Sequence, residues 1–461
     1  VQHFKIKTMK KIFYYLLAIG LIYSLSGCKK YLDAKPNSRL TTLQTLENLQ
    51  SILDDELRLN YQWANIGEIS TNDYYLTDVD LTALVKDSDR KMYNWETDNL
   101  QATTFDGWYY SYLPVYYGNS VLEALPNIVR NGTNSNDYDN IKGQAYFFKG
   151  AAMLAASVVF CQAYDENAGS KQLGLPIRTG TDFNVPSVRS NLADTYLQLI
   201  SDLKRAATLL KVKQVHVMRP SKIAAYAMLS RAYLSINKYA EATLYADSAL
   251  QLNSQLLDYN TLNANAEYPI AIFNVEVLVN LMMITPDPLK PNVAKIPNEL
   301  YSQYKTGDLR KTVFFKSNGN NTWAFKGSYN GDLNFFCGPA VDEMYLNRAE
   351  GYARAGKLTE ALADLNQLLR KRWNKAITYI PYQSNEQETV INWILEERRK
   401  ELLMRGLRWM DIKRLNRMGA NITLARNMNS SNRILKPNDL RYALPIPEEI
   451  INLTGMEQNP K

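Results

Sequence analysis

Histidine and cysteine are nearly absent from this chain, whose 461 residues hold two His and three Cys. A Ser-His-Asp triad in the body of the chain would have to use His216, which stands between Val215 and Val217 and reads as a structural or surface residue. A zinc site of the usual Cys/His type lacks its ligands. Cys28, Cys161 and Cys337 are too few for a disulfide framework. Cys161 and Cys337 could pair in an exported protein, but Cys161 closes the apolar run Ala151–Phe160, where a free thiol behaves as a small hydrophobe. An excess of one charge is also missing, since 53 Lys and Arg face 46 Asp and Glu for a net +7. Residues 1–27 hold four of the lysines and no acid, so the remaining 434 residues carry +3, which gives no footprint for nucleic acid. Beyond those first residues no apolar run is long enough to span a bilayer.

What the chain does have begins at its start. Lys10 and Lys11 precede an apolar segment, Ile12–Tyr23, in the order of an export signal, and the residues before Met9 read as an upstream extension. The segment closes on Leu25-Ser26-Gly27-Cys28, a run of small residues before a cysteine that resembles a bacterial lipobox. In such signals the thiol takes a diacylglycerol, the preceding peptide is removed and the new amino terminus is acylated, typically with palmitate. Cys28 is therefore the expected lipidation site, 1–27 a cleaved signal peptide and 28–40 a polar, Pro-containing spacer. Several acyl chains on one residue exceed the two signals that stable anchoring needs, so the body at 41–461 is expected on a membrane surface without spanning it.

The periodicity of that body is helical. Leu43, Leu46, Leu49, Ile52 and Leu53 predict a first helix, and Trp108, Tyr112, Val115, Asn119 and Leu122 predict another with Trp108 in the core. Helix pairs are expected at about 141–210, 221–252 and 345–372. The first carries a Gly/Pro-broken insertion at 169–186, before a helix from Ser190-Asn191 to about Leu210 with Leu197, Ile200, Leu203 and Leu210 on one side. The other two place small and aromatic residues as tetratricopeptide units do: Ser230, Tyr233, Ala242 and Ala246, then Ala349, Tyr352, Gly356 and Ala361. Each such pair leaves an apolar face that another must cover, so they should meet in space. The fold class is thus mainly α, with tetratricopeptide-like pairs packed against a loop-rich irregular part. Two regions, about 63–105 and 253–340, lose the period and gain aromatics, with a strand-like run at Ile270–Ile284 in the second.

The C-terminal motifs are the most specific in the body. They read Glu397-Arg398-Arg399-Lys400-Glu401-Leu402, then Gly406-Leu407-Arg408-Trp409-Met410-Asp411-Ile412-Lys413-Arg414, Pro445-Ile446-Pro447-Glu448-Glu449 and Gln458-Asn459-Pro460. This series resembles the SusD/RagB family of surface lipoproteins, and Arg219-Pro220-Ser221-Lys222, Asp308 with Arg310, and Arg348-Ala349-Glu350 fall in the family's order. Arg405 stands where an acid is frequent before the glycine. On helical spacing the charged run at 396–401 is expected as a solvated face, and Arg408 with Asp411 as a structural pair.

The resemblance implies a non-enzymatic, cofactor-free protein of the outer membrane, facing the cell exterior. Such a protein would capture a glycan, or a peptide, for a partner TonB-dependent transporter of the SusC type. A sugar presents apolar C–H faces and hydroxyl edges, which aromatic rings flanked by polar side chains can bind. Loop placement alone selects Asp73, Tyr74, Tyr75, Trp323, Phe325 and Tyr329 as candidate contacts, with no metal or catalytic group. The rival readings are a helical glycosidase and an assembly scaffold. The adjacent acids Asp54-Asp55, Glu396-Glu397 and Glu448-Glu449 make poor acid/base dyads, because neighbours on a helix face apart.

Overall fold

A computed structural model describes residues 43–98, 107–428 and 431–461. The chain divides into two units, Val1–Leu43 and Gln44–Lys461, and the architecture below is that of the second. The signal segment, Cys28 and the spacer lie outside the described residues.

Helices carry the fold, and their ends follow local chemistry. Helix α1 (Leu46–Leu53) begins where the Thr45 hydroxyl accepts the Asn48 N–H at 3.2 Å. Helices α2 (Gly107–Ala124), α3 (Ser135–Phe160) and α4 (Leu192–Leu209) pack side by side, with Trp108 buried as expected. Gly118 on α2 and Gly150 on α3 permit the close approach: a Cβ there would stand 2.8 Å from the Ala145 carbonyl oxygen and 3.0 Å from that of Leu199. Asn191 caps α4 by accepting the Asp194 N–H, and Leu197 is exposed rather than on the packed side with Leu199 and Leu203.

The tetratricopeptide-like pairs form as the spacing predicts. They are α5 (Lys222–Ser235) with α6 (Tyr239–Leu252), and α7 (Val341–Arg354) with α8 (Leu358–Arg372). Asn237 and Gly356 turn them at φ +58° and +76°, a left-handed conformation that Asn and Gly tolerate best. The pairs meet through α6 and α7. There a Cβ on Gly351 would fall 1.7 Å from Thr243 Oγ1, and Arg348 donates to Asp247 at 2.7 Å.

The irregular regions are more structured than their lost periodicity suggests. Short helices occupy Ile66–Ile69, Asp78–Ala83 and Asp87–Tyr93, the second begun by a capping box between Thr77 and Asp80. The strand-like run at 270–284 contracts to β3 (Met282–Met283), paired with β6 (Phe335–Phe336), and a bridge between Val277 and Ala340. Three other antiparallel pairs complete the described strands: β1 (Leu173–Pro176) with β2 (Arg189–Asn191), β4 (Phe315–Ser317) with β5 (Trp323–Phe325), and β7 (Leu424–Met428) with β8 (Ser431–Leu435). Cys161 and Cys337 are free thiols, and His216 lies at the surface with its ring edge against Phe273.

Helix α9 (Gln387–Glu401) overturns one expectation. Its charges are interior: Glu397, Arg398, Lys400 and Glu401 are at most 4% exposed. Each meets an opposite charge or an amide from another element. Arg310 donates to Glu397 at 2.7 Å and to Glu401 at 2.9 Å, and Arg372 to Glu401 at 2.7 Å and Glu276 at 2.8 Å. Arg398 reaches Asp411 at 2.8 Å and Asn347 at 2.6 Å. Helix α10 (Arg408–Arg417) adds Arg414, which forks onto both Glu350 oxygens at 2.8 Å and onto Asp411 at 2.7 Å. Arg408 and Asp411 therefore do not pair. Both oxygens of Asp411 are taken, and Arg408 donates to Asn72 at 3.1 Å instead.

The last motifs close on each other. Gln458 accepts the Ile446 N–H at 2.8 Å and donates to its carbonyl at 2.7 Å, while Asn459 donates to the carbonyls of Phe160 and Leu444 at 2.7 Å. The Gln-Asn end thereby clamps the Pro-Ile-Pro turn onto the end of α3.

Removing one partner of a buried pair strands the other. Arg414→Ala should lower unfolding free energy in urea by about 3–5 kcal/mol, whereas Lys211→Ala, from the exposed pair with Asp137, should change it by less than about 0.5 kcal/mol. Similar losses in both would show that the interior pairs are not the stronger constraint.

Candidate functional site

Of the six loop residues selected from the sequence, Tyr75 and Trp323 are half-buried and the other four point inward. Asp73 accepts from Arg399 at 2.9 Å and lies 3.7 Å from Arg408, so it serves as an internal counter-charge. Tyr74 donates its hydroxyl to the Ile69 carbonyl at 2.7 Å beneath the Arg426 guanidinium. Phe325 packs between Phe314 and Phe335, and the Tyr329 hydroxyl donates to Glu276 at 2.7 Å. Aromatic content in a loop marks these positions in the sequence, but the loops fold into their own cores.

The two surface rings come from different irregular regions, and the backbone brings them together. Tyr75 and Lys295 exchange N–H···O bonds at 2.8 and 3.0 Å, and the Ile296 N–H donates to the Trp323 carbonyl at 2.8 Å. Segment 295–296 thus holds Tyr75 along one edge and Trp323 along the other. In the β4–β5 hairpin Trp323 faces Ser317, and Gly319, Asn320 and Asn321 turn the chain at positive φ. The indole stacks on Tyr301 with ring centres 4.0 Å apart and planes 12° from parallel. Lys311 sits 4.8 Å from the centre of the Tyr301 ring, and Lys295 pairs with Asp80. Burial raises the Tyr75 phenol pKa, with Glu299 and Asp80 adding to it, which places both acids in its surroundings. The result is a platform of stacked rings edged by acids and ammonium groups. Sequence reasoning missed Tyr301, whose signal is modest: an aromatic in the short helix Asn298–Ser302 just after Pro297.

Inside the molecule, Glu276, Asp342 and Glu401 bring one oxygen each to within 4.8 Å of the others, the spacing of a metal-ligand set. Guanidinium groups already offset their charge. Arg372 bonds Glu276 and Glu401, Arg310 bonds Glu401, and Arg405 bonds Asp342 at 3.1 Å. The unusual arginine at 405 thus answers an acid of α7.

Residues 30–234 match the profile of a family described as starch-binding and associating with the outer membrane, and residues 342–461 match that of the SusD family. The chain belongs to the SusD/RagB family. Among solved structures it is similar to a protein of Bacteroides vulgatus at TM-score 0.75 and 21% identity, over 91% of this chain and 99% of that one. A SusD superfamily protein from Bacteroides thetaiotaomicron follows at 0.72 and 21%, over 90% and 100%. A SusD-like carbohydrate binding protein from Bacteroides vulgatus gives 0.68 and 18%, over 89% and 96%. At these identities the likeness is one of fold. No curated protein matches the chain.

In the short helix Ile66–Ile69 lies Glu68, 2% exposed, with neither carboxyl oxygen in a well-formed hydrogen bond. Burial pushes its pKa up to about 8, Asp73 adding to the shift while the Gly406 amide and Arg408 oppose it. The folded state therefore holds a proton that the unfolded chain, with an ordinary glutamate pKa of 4.5, releases. The associated stability is complete below that value and is lost as pH rises towards 8, at up to about 1.4 kcal/mol per pH unit. Glu68→Gln should flatten the pH dependence of urea unfolding between pH 5 and 8 and make the variant the more stable form at pH 8. Parallel curves for the two proteins would show that Glu68 is ionised in the fold.

Proposed function

We propose that this protein is a lipid-anchored receptor on the outer face of the outer membrane. It captures oligosaccharide and delivers it to a TonB-dependent transporter of the SusC type, performing no chemistry of its own. The observation that carries the reading is the Trp323–Tyr301 stack beside Tyr75, with Asp80 and Glu299 at its edge, in a chain of this family. Stacking on Tyr301 uses one face of the indole, and the other offers an apolar plane to the C–H face of a sugar while the acids accept from its hydroxyls. Cys28 supplies the anchor. Among the described residues no helix is long and apolar enough to cross a membrane, which agrees with attachment by lipid.

The glycosidase reading needs two carboxylates facing each other across a cleft, roughly 5–10 Å apart. The adjacent acids do not supply them. Asp54 pairs with Arg219, Asp55 caps the next helix through the Arg58 N–H, and Glu397 is interior.

Affinity electrophoresis against a panel of polysaccharides should show retardation by at least one of them. Trp323→Ala should weaken it roughly tenfold, or about 1.4 kcal/mol. Retardation that Trp323→Ala leaves unchanged would remove the platform from the binding site, and release of reducing sugar by the purified protein would make it an enzyme. Separately, Cys28→Ala should leave the protein out of the membrane fraction. Its recovery there with the signal uncleaved would point to an anchoring helix.

A further inference from the structure

A second set of rings lies away from the Trp323 platform. Residues 373–386 join α8 to α9 and arch over a cavity of about 420 Å³, within the roughly 300–1,000 Å³ of small-molecule sites. Four aromatic side chains line it in two pairs. Trp373 meets Tyr379 with ring centres 5.6 Å apart, and Tyr382 meets Trp393 at 4.9 Å.

The wall is built rather than loosely folded. Trp373 lies against Gly307, where φ is +98° and a Cβ would stand 2.6 Å from the indole, and its backbone pairs with Asp308. Asn366 accepts the Tyr379 hydroxyl at 2.7 Å and the Tyr382 N–H at 2.8 Å, and donates to the Tyr382 carbonyl at 3.0 Å. The Tyr382 hydroxyl donates to Glu397 at 3.0 Å. Rings fixed in this way lose little entropy when a ligand enters.

The charges around the cavity are unequal. Its two acids, Asp308 and Glu397, are both bonded by Arg310, and Lys400 adds a bond to Glu397. Burial opposes ionisation of Glu397, but Arg310 and Lys400 hold its pKa down at about 2. Lys305 remains at the rim, 5.4 Å from the centre of the Tyr382 ring, with no ion-pair partner among the described residues. The amide of Gln383, the hydroxyl of Thr378 and the indole N–H of Trp393 also line the cavity without a hydrogen bond to the described chain. The lining therefore offers apolar ring faces together with an excess of donors and one uncompensated positive charge.

We propose that this cavity is a second ligand site, which takes an acidic sugar unit with its apolar face against Trp393 and Tyr382 and its carboxylate on Lys305. A uronic acid unit matches both features, since it combines a saturated ring with a carboxylate. The inference rests on the reading of the protein as a glycan receptor and adds a charge class to what it captures.

The probe is digalacturonate, titrated by calorimetry into the full-length protein, with neutral galactobiose for comparison. Wild type should bind digalacturonate, and binding should persist in Trp323→Ala, which lacks the indole of the platform. Lys305→Gln, at an exposed position that cannot disturb the core, should weaken binding roughly tenfold. Trp393→Ala, checked for an unchanged melting temperature, should abolish it. Galactobiose should bind at least tenfold more weakly than digalacturonate. The proposal is overturned if digalacturonate fails to bind wild type, or binds Lys305→Gln as well as wild type. It also fails if Trp323→Ala removes binding, which would place the acidic sugar on the platform and leave the capture reading standing. Retardation by neutral polysaccharides tests that broader reading separately, so the two failures are distinguishable.

Discussion

The burial of arginine is the constraint on which the rest of this molecule depends. Arg310, Arg372, Arg398 and Arg414 are each 1% exposed, and taking each from water costs several kcal/mol unless its partners are in place. Those partners come from separate stretches of chain. Glu276 belongs to the irregular region, Asn347 and Glu350 to α7, Glu397 and Glu401 to α9, and Asp411 to α10. No element can take its final place alone without leaving a charge stranded. The two tetratricopeptide-like pairs are joined in the same way, by Arg231 of α5 bonding both carboxylate oxygens of Glu343 of α7 at 2.8 and 2.6 Å.

Buried arginines also fix the loops that carry the proposed sites. Arg426 donates to the carbonyls of Ile69, Thr71, Tyr74 and Tyr93, gathering the segment that ends in Tyr75. Arg372, anchored by Glu276 and Glu401, is followed directly by Trp373, and its carbonyl accepts the Leu309 N–H beside Gly307. Side chains set on such a base approach a ligand already oriented, which is how a loop-borne surface obtains specificity without regular secondary structure beneath it.

Sequence reading succeeded where one period or one motif decides the outcome. The helix pairs, the burial of Trp108 and the family itself were all legible. It failed where the same residue type has two environments. A helical run of alternating charge looks solvated, and in α9 it is interior because complementary charges arrive from stretches as distant as Arg310 and Asn347. Likewise Tyr74 and Tyr75 are indistinguishable by composition, yet one faces the Arg426 guanidinium and the other the surface. Only long-range pairing separates them, and pairing over hundreds of positions leaves no local trace. The run Leu25–Cys28 that resembles a lipobox is, in contrast, entirely local, and it lies outside the described residues.

The contrast explains why the sequence names a family and withholds the ligand. Motif positions such as Glu397, Arg398, Asp411 and Arg414 sit in the network, where geometry and charge admit few replacements, so they spell a recognisable pattern. The rings on the two proposed surfaces are half-buried and held mainly by local stacks and hydrogen bonds, which follow no fixed sequence pattern. What marks them is a mismatch between a residue and its surroundings: a half-buried indole stacked on a tyrosine, and a lysine beside an aromatic cavity with no carboxylate partner among the described residues. Both features support the proposed recognition roles, which rest on a ring and a charge left available to a ligand.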